Sequence, residues 1–306
     1  MYIGFDTSNY TTSVAAFDGV HMYQQKQLLT VKSGERGLRQ SDAVFQHTVN
    51  MPKLIDRLDV SLGKIKAVGV STRPREVEGS YMPCFLVGIN NAVSVSRFTG
   101  AKLYETSHQI GHILAALYSV DRLDLVNTPF VAFHVSGGTT EALLVEPDSE
   151  KLIKATVIAQ STDLKAGQAI DRAGVMMGYT FPCGRVLDEL SRKSDREFKI
   201  KPSMNGLNCS LSGIENKARS MLDNGESKED ISKYVLSSIC SAVDKMTEGI
   251  LEEYGNLPLV YAGGVMSNTL IKDRITNKYN AYFAQPQYSC DNACGTAIYA
   301  YLKDTR

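Results

Sequence analysis

The chain has 306 residues, 43% hydrophobic and 22% charged, a composition typical of globular proteins with one large domain or two moderate ones. Its formal net charge is zero, with 33 basic and 33 acidic residues, which disfavours a protein whose main task is to coat nucleic acid. No run of about 18 apolar residues and no signal-peptide pattern is present, so we expect no membrane span. Six cysteines without a Cys-x-x-Cys pair are typical of reduced thiols, and a cytoplasmic location is predicted.

The first part of the chain alternates apolar segments with polar turns. Strands and helices are predicted in the order strand 2–5, strand 13–17, strand 22–29, helix 42–58, strand 67–71 and helix 85–95. The three opening strands are expected to form a hairpin meander, with the hydroxyl-rich loop 6–12 at its tip.

A second cycle of strand, glycine turn and strand starts near residue 130. The strands 130–135 and 141–146 enclose the segment Ser136-Gly137-Gly138-Thr139-Thr140, much as the first two strands enclose the loop 6–12. This similarity suggests an internal duplication. The remaining predicted elements are helix 165–177, a turn at 181–184, helix 186–191, helix 231–254, strand 257–261 and helix 292–302.

Two histidines lie four residues apart, at His108 and His112, in a segment whose apolar pattern predicts a helix. This spacing places both imidazoles on one helix face, where they can share a metal ion, although such pairs are more often packing or surface residues. Asp291 precedes the last predicted helix and is a candidate N-cap. Alternatively, it is a third ligand beside the histidines, and two imidazoles with one carboxylate suit iron or another divalent metal.

Three turns rich in glycine or hydroxyl residues follow apolar strands, at 6–12, 136–140 and 263–268. Such turns let phosphate oxygens approach the backbone N–H groups, although a single one is usually structural. Three in one chain favour a nucleotide cleft between two lobes, while the absence of GxxxxGK[ST] and GxGxxG disfavours the P-loop and Rossmann folds. Asp171, on the predicted helix 165–177, could bind two sugar hydroxyls; otherwise it forms a surface ion pair.

Seven segments, in the right order along nearly the whole chain, resemble motifs of the TsaD family, also called the Gcp or Kae/Qri family. The family patterns His-x-Glu-Gly/Ala-His and Ser-Gly-Gly-His-Thr resemble 108–112 and 136–140. The further similar segments are 163–172, 181–184, 211–216, 263–268 and 289–292. The resemblance implies an α/β fold of the duplicated actin/Hsp70/sugar-kinase-like (ASKHA) type, two-lobed with a nucleotide cleft. Residues 1–105 with 290–306 would form the N-terminal lobe, and residues 106–289 the C-terminal lobe.

The resemblance also implies an activity. Members of this family transfer a threonylcarbamoyl group from an adenylate to N6 of adenosine 37 in tRNA. A divalent metal, iron or zinc, would be held by His108, His112 and Asp291. The site for the adenylate, or for ATP or ADP, would be lined by Val135, Ser136, Gly137, Gly138, Thr139, Asp171, Gly184 and Asn268. tRNA is the implied acceptor, and TsaB-like and TsaE-like proteins or a second copy of the chain are the implied partners.

The chain departs from the family pattern at four places. In the loop 6–12, Tyr10 and Thr11 stand where the family has two acidic residues, and segment 72–79 replaces a Gly-Pro-Gly turn. Thr139 replaces a histidine, and Ile110 replaces a polar neighbour of the metal in the histidine motif. The chain is therefore interpreted as a divergent paralogue. An alternative function is that of a non-catalytic or altered-substrate nucleotide-binding paralogue that pairs with another family member. Peptide hydrolysis is disfavoured because the HExxH motif is missing, and sugar phosphorylation because no segment resembles the catalytic aspartate of a sugar kinase.

Overall fold

The computed structural model describes residues 1–8, 10–31, 38–60 and 63–306. Through residue 128 the elements are β1 (Tyr2–Asp6), β2 (Thr11–Phe17), β3 (Met22–Leu28), α1 (Gln40–Asp56), β4 (Ala67–Arg73), α2 (Phe85–Thr99), β5 (Lys102–Ser107), α3 (His108–Ser119) and a 3-10 helix (Leu123–Asn127). They continue with β6 (Phe130–Val135), β7 (Thr140–Asp148), β8 (Leu152–Gln160), α4 (Ala166–Met176), α5 (Gly184–Ser191), β9 (Ser203–Asn205), β10 (Asn208–Ser210), α6 (Ser212–Asp223), α7 (Lys228–Tyr254), β11 (Leu259–Ala262), a 3-10 helix (Gly264–Ser267), α8 (Thr269–Lys278), β12 (Ala281–Phe283), α9 (Pro286–Ser289) and α10 (Cys294–Thr305).

The chain divides into two units. Unit 1 comprises Met1–Thr128, Glu146–Ala155 and Gln287–Arg306, and unit 2 comprises Pro129–Val145 and Thr156–Pro286. A boundary after residue 105, as the sequence predicts, would fall within β5, whereas unit 1 contains the whole of β5 and α3. The histidine helix and the segment around Asp291 therefore belong to the same unit.

Unit 1 is built on one mixed sheet with the strand order β3-β2-β1-β4-β5. β1 pairs antiparallel with β2 and parallel with β4. Side chains alternate between the two faces of a strand, so Ile3 and Phe5 of β1 enter the core that includes Met51 and Leu54 of α1. Gly4, between them, faces α10, where a Cβ atom would lie 2.4 Å from the Ala293 carbonyl oxygen. Small residues on this face of the sheet let α10 pack directly against it.

Unit 2 repeats this topology. Its sheet has the order β12-β11-β6-β7-β8, in which β6 pairs antiparallel with β7 and parallel with β11. β6 therefore takes the place of β1, followed by the same meander and the same two parallel strands, which confirms the predicted duplication. Phe133, Tyr261 and Phe283, from three neighbouring strands, stack with ring centroids 4.6 and 4.9 Å apart and form one layer of the core.

The long helix α7 forms much of the core of unit 2. Ser227 caps its N-terminus by accepting a hydrogen bond from the backbone N–H of Asp230 at 3.1 Å. Ile231, Val235 and Ile239 recur at helical spacing and are fully buried. Among the residues that the structure describes, no helix has both the length and the apolar character needed to cross a bilayer.

The contact between α3 and α10 generates the first prediction. A Cβ atom on Gly295 would lie 1.7 Å from the carbonyl oxygen of Gly111, so Gly295→Ala forces the two helices apart. We expect a loss of about 1–3 kcal/mol in the free energy of unfolding, measured by urea denaturation. Gly213→Ala in α6 is the control, because a Cβ atom there meets nothing within 4 Å. Equal unfolding midpoints for the two variants would contradict the packing described.

A buried histidine of α1 generates a prediction about pH. His47 is fully buried, its Nδ1 lies 2.8 Å from Oγ1 of Thr12, and its Nε2 has no hydrogen-bond partner among the described residues. Burial lowers the pKa of His47 to about 4 from its usual 6.5, so the folded state holds the ring neutral. As the pH falls below 6.5, this ring takes up a proton in the unfolded chain before it does so in the folded protein. The free energy of unfolding therefore decreases below pH 6.5.

We therefore expect His47 to lower the free energy of unfolding by about 2 kcal/mol when the pH falls from 7 to 5. The measurement compares urea unfolding of the unmodified protein and of His47→Asn at both pH values. The unmodified protein should lose more stability than the variant, which has no group titrating at this position. Equal losses in the two proteins would show that the ring is not held neutral.

Candidate functional site

The first candidate site starts from α3, whose N-terminus is fixed by two capping contacts. Ser107 accepts a hydrogen bond from the backbone N–H of Ile110 at 3.3 Å, and the carbonyl of Pro74 accepts one from Gln109 at 3.1 Å. The helix therefore begins at His108 and brings His112 one turn further along the same face, as predicted. The two imidazole ring centroids lie 4.3 Å apart.

Asp291 meets this histidine pair from the other end of the sequence. Its Oδ1 lies 3.5 Å from Nε2 of His108 and 3.3 Å from Nε2 of His112. The possible ligand atoms of the three residues all lie within 4.8 Å of one another. Asp291 is not the cap of the last helix, because α10 begins at Cys294 and the side chain of Asn292 accepts the hydrogen bond from Cys294 N–H.

Asp6, at the end of β1, is a residue of this site that the histidine spacing did not reveal. Its carboxylate is fully buried, and its Oδ2 lies 2.8 Å from Nδ1 of His108. Burial alone would raise the pKa of Asp6, but the charge and hydrogen bond of His108 outweigh it and lower the pKa. Burial alone would lower the pKa of His108, but Asp6 and Asp291 outweigh it and raise the pKa to about 10. The attraction between His108 and the two carboxylates therefore favours the charged forms of these groups.

Thr11, at the start of β2, also contacts the cluster. Its hydroxyl donates a hydrogen bond of 3.4 Å to Oδ2 of Asp291. One of the two departures from the acidic family pattern in loop 6–12 thus lies against the carboxylate of the candidate site. Asn9, within the same loop, lies outside the described residues.

The donor chemistry of this cluster fits a divalent transition metal. Two imidazole nitrogens and one carboxylate oxygen converge, and these are ligands that iron and zinc accept. Metal-binding histidines usually donate their second ring N–H to a carboxylate, and Asp6 is placed to accept from His108. Among the residues that the structure describes, His108, His112 and Asp291 are the group in which such ligand atoms converge.

The second candidate site is a pocket of about 460 Å³ within unit 2. Four of the predicted adenylate-site residues line it, namely Gly137, Asp171, Gly184 and Asn268. The other four predicted residues, Val135, Ser136, Gly138 and Thr139, are not among the lining residues. Ser136 and Thr139 instead close the turn, because the backbone N–H of Ser136 donates to the carbonyl of Thr139 at 2.7 Å.

Asp171 presents a carboxylate oxygen to this pocket. Its Oδ1 accepts a hydrogen bond of 2.8 Å from the backbone N–H of Cys183, and its Oδ2 receives none from the described residues. Burial raises the pKa of Asp171, partly opposed by this hydrogen bond. Asp171 forms no ion pair with another described residue, and the neighbouring Arg172 pairs instead with Glu215 at 3.0 Å.

Asn268 and Asp188 form a supporting pair at the edge of the pocket. The side-chain oxygen of Asn268 caps α8 by accepting from the backbone N–H of Ile271 at 3.1 Å, and its amide nitrogen donates to Asp188. Both ends of the Asn268 amide are therefore used inside the protein. Asp188 was not predicted from the sequence. The signal for it was Gly184, because residue 188 lies one helical turn further on the same face of α5.

The sequence and the fold of this chain match known proteins. The family model described as TsaD, tRNA N6-adenosine threonylcarbamoyltransferase, matches residues 25–298. The chain belongs to the TsaD family. The tRNA N6-adenosine threonylcarbamoyltransferase of Christiangramia forsetii is 29% identical and aligns with 81% of this chain and 74% of its own length. The enzyme of the same name from Thermosipho africanus is 26% identical and aligns with 98% of this chain and 93% of its own length.

Solved structures outside the TsaD family share the fold. Component A of (R)-2-hydroxyglutaryl-CoA dehydratase from Acidaminococcus fermentans superposes with a TM-score of 0.58 at 16% identity, covering 100% of this chain and 99% of that one. A ROK family glucokinase from Streptomyces griseus gives 0.51 at 10% identity, covering 98% and 99%. At this identity the likeness shows the fold alone, and the predicted actin/Hsp70/sugar-kinase-like class is confirmed.

A metal-binding prediction follows from the cluster. We expect His112→Ala to weaken zinc affinity about tenfold or more, because loss of a direct ligand should cost at least as much as loss of an outer-shell partner. His21→Ala is the control, since that imidazole is exposed and pairs with Asp18 outside the cluster. Zinc titration monitored with a competing chromophoric chelator measures both variants. Unchanged affinity of the His112 variant would exclude this imidazole as a ligand.

Proposed function

We propose that this chain transfers a threonylcarbamoyl group, or a related carbamoyl group, from an adenylate to N6 of adenosine 37 in tRNA. We further propose that a divalent metal, iron or zinc, binds at His108, His112 and Asp291, and that the adenylate binds in the pocket of unit 2. TsaB-like and TsaE-like proteins or a second copy of the chain are the proposed partners, and the cytoplasm is the proposed location.

The observation that carries this proposal is the convergence of His108, His112 and Asp291 in a member of the TsaD family. The carboxylate comes from a segment 179 residues after His112 (291 − 112), yet its oxygen lies 3.3 Å from Nε2 of that histidine. A surface ion pair would not need two imidazoles and a second, buried carboxylate, that of Asp6, behind them. The arrangement is the one expected of a metal centre with open positions for a substrate.

The proposed reaction is chemically balanced, and its bond changes occur within the two substrates. The adenine N6 attacks the carbamoyl carbon, a C–N bond forms, the C–O bond to the phosphate breaks, AMP leaves, and N6 loses a proton. When bound, the metal would supply Lewis-acid polarisation of a substrate oxygen. In unit 2, the backbone at Gly137 and Gly264 lines the pocket without side-chain bulk and can approach a phosphate. The open Oδ2 of Asp171 can accept hydrogen bonds from ribose hydroxyls.

The test supplies threonine, bicarbonate, ATP, an adenylate-forming partner enzyme and tRNA, and detects the modified nucleoside by mass spectrometry. The unmodified protein should form the product. Asp171→Asn should bind the adenylate about tenfold more weakly, as expected for the loss of hydrogen bonds to a charged group. Arg172→Ala, on the same helix but paired with Glu215 at the surface, is the matched control and should retain activity. No product from folded, metal-loaded protein would contradict the proposed transferase.

A second candidate function is an altered-substrate or non-catalytic nucleotide-binding paralogue that pairs with another family member. The neutral Thr11 beside Asp291, at a position where the family pattern is acidic, favours it. Calorimetry with ATP separates the two functions. Nucleotide binding without any modified nucleoside, together with a stable complex with another family member, would support the paralogue role over the transferase.

A further inference from the structure

We propose that the hairpin of β1 and β2 positions the metal ligands, with Asp6 orienting His108 and Thr11 orienting Asp291. Both are positioning residues, since they touch ligand side chains and are not among the converging ligand atoms. This inference rests on the proposed function in one respect, namely that His108, His112 and Asp291 bind an ion. It extends that function by assigning roles to two residues of the loop 6–12.

The carboxylate of Asp6 is held rigidly before it meets the histidine. Its Oδ1 accepts a hydrogen bond of 2.9 Å from the backbone N–H of Ser8, and its Oδ2 accepts one of 2.8 Å from the hydroxyl of Ser71. Asp6 ends β1 and Ser71 lies on the adjacent parallel strand β4, so the carboxylate is fixed to the sheet itself. A group fixed in this way can determine the orientation of whatever bonds to it.

The bond to Asp6 decides which nitrogen of His108 faces the site. An ionised carboxylate can only accept hydrogen bonds, so Nδ1 of His108, at 2.8 Å, carries the hydrogen. Nε2 then points towards Oδ1 of Asp291, at 3.5 Å. The same carboxylate makes the ring a better electron-pair donor at Nε2, which is the effect that outer-shell carboxylates have on metal-binding histidines.

The hydrogen bond from Thr11 gives the two carboxylate oxygens of Asp291 different partners. Its hydroxyl donates to Oδ2 at 3.4 Å, while Oδ1 faces both imidazoles. Thr11 is 4% exposed and begins β2, and its backbone N–H bonds to the carbonyl of Ser8 at 3.1 Å, so its own position is fixed. The carboxylate is thereby oriented with a single oxygen towards the ligand set.

A purely structural role would not explain why residue 6 is a charged aspartate. A neutral asparagine could make the links to both Ser8 and Ser71, because its oxygen can accept from the N–H of Ser8 and its NH2 group can donate to the hydroxyl of Ser71. A fully buried carboxylate costs several kcal/mol unless it is paired with a positive or strongly donating group. The group that satisfies it is the imidazole of His108, which is itself a candidate ligand.

The experiment measures zinc affinity and the visible absorption spectrum of the Co²⁺-substituted protein, neither of which depends on turnover. We expect Asp6→Asn to bind zinc about 10- to 100-fold more weakly and to shift the Co²⁺ spectrum, because the ring of His108 is released. Thr11→Val should bind about tenfold more weakly, at the lower end of the range for an outer-shell partner, and Thr11→Ser, which keeps the hydroxyl, should restore affinity. Ser13→Ala is the control, since its hydroxyl bonds to the backbone carbonyl of Asp6 and reaches no ligand.

The outcomes separate this inference from the proposed function. Failure of the unmodified protein to bind zinc or Co²⁺ would overturn the metal centre itself, and this inference with it. Normal binding by the unmodified protein, with the same affinity and spectrum in Asp6→Asn and Thr11→Val, would overturn only the positioning roles. If Asp6→Asn does not fold, the Thr11→Val and Thr11→Ser pair decides, because equal affinities for these two variants, of which only Thr11→Ser keeps the hydroxyl, would reject the hydroxyl as an orienting group.

Discussion

The close packing of α3 against α10 is the constraint on which the candidate metal centre depends. Gly111 lies beside His112 on α3, and Gly295 lies four residues after Asp291 at the start of α10. The two backbones approach so closely that a Cβ atom on Gly295 would overlap the carbonyl of Gly111. This approach brings the segment before α10 to the first turn of α3. Any larger side chain at the contact would move Asp291 away from the imidazoles.

Four polar side chains of the segments 6–8 and 10–12 form hydrogen bonds inside unit 1. The Asp6 carboxylate meets His108, the Thr7 hydroxyl donates to the carbonyl of Cys84 at 2.9 Å, and Thr11 and Thr12 contact Asp291 and His47. These hydrogen bonds fix the side chains of Asp6 and Thr11, and fixed supporting groups are what a precise ligand geometry requires. The hydroxyl-rich composition that suggested a phosphate-binding turn therefore has a second physical explanation.

Glycine turns in unit 2 likewise combine two requirements. Gly137 and Gly264 line the pocket, where the absence of a side chain leaves the backbone accessible. Gly263 has a φ of +100°, and a Cβ atom there would lie 2.2 Å from the carbonyl oxygen of Val135, so only glycine fits between β11 and β6 at this point. The motif at 263–268 is thus needed for strand packing as well as for an open pocket wall.

Local patterns of apolar residues in the sequence predicted part of this structure. Strong helical or alternating periodicity predicted α1, α3, α4, α7 and the core strands correctly, because burial of one face imposes a period that is visible in a short window. α8 was missed because few of its residues are buried, and β5 because it is an edge strand with mostly polar or partly exposed residues. Of the residues predicted for the adenylate site, Gly137, Asp171, Gly184 and Asn268 line the pocket of unit 2, and Asp188, which also lines it, was not predicted.

The sequence by itself determined the duplicated α/β architecture, the histidine pair on one helix face and the membership of a family, since each is recorded in spacing or in the order of motifs along the chain. Only the tertiary structure showed that Asp291 does not cap the last helix and lies beside the histidine pair, and only it revealed Asp6 and Thr11. Those contacts join residues 102 and 280 positions apart, so no local period reports them. They exist because a parallel strand pair and a glycine contact between two helices bring distant segments together, which is a property of packing and not of any one segment.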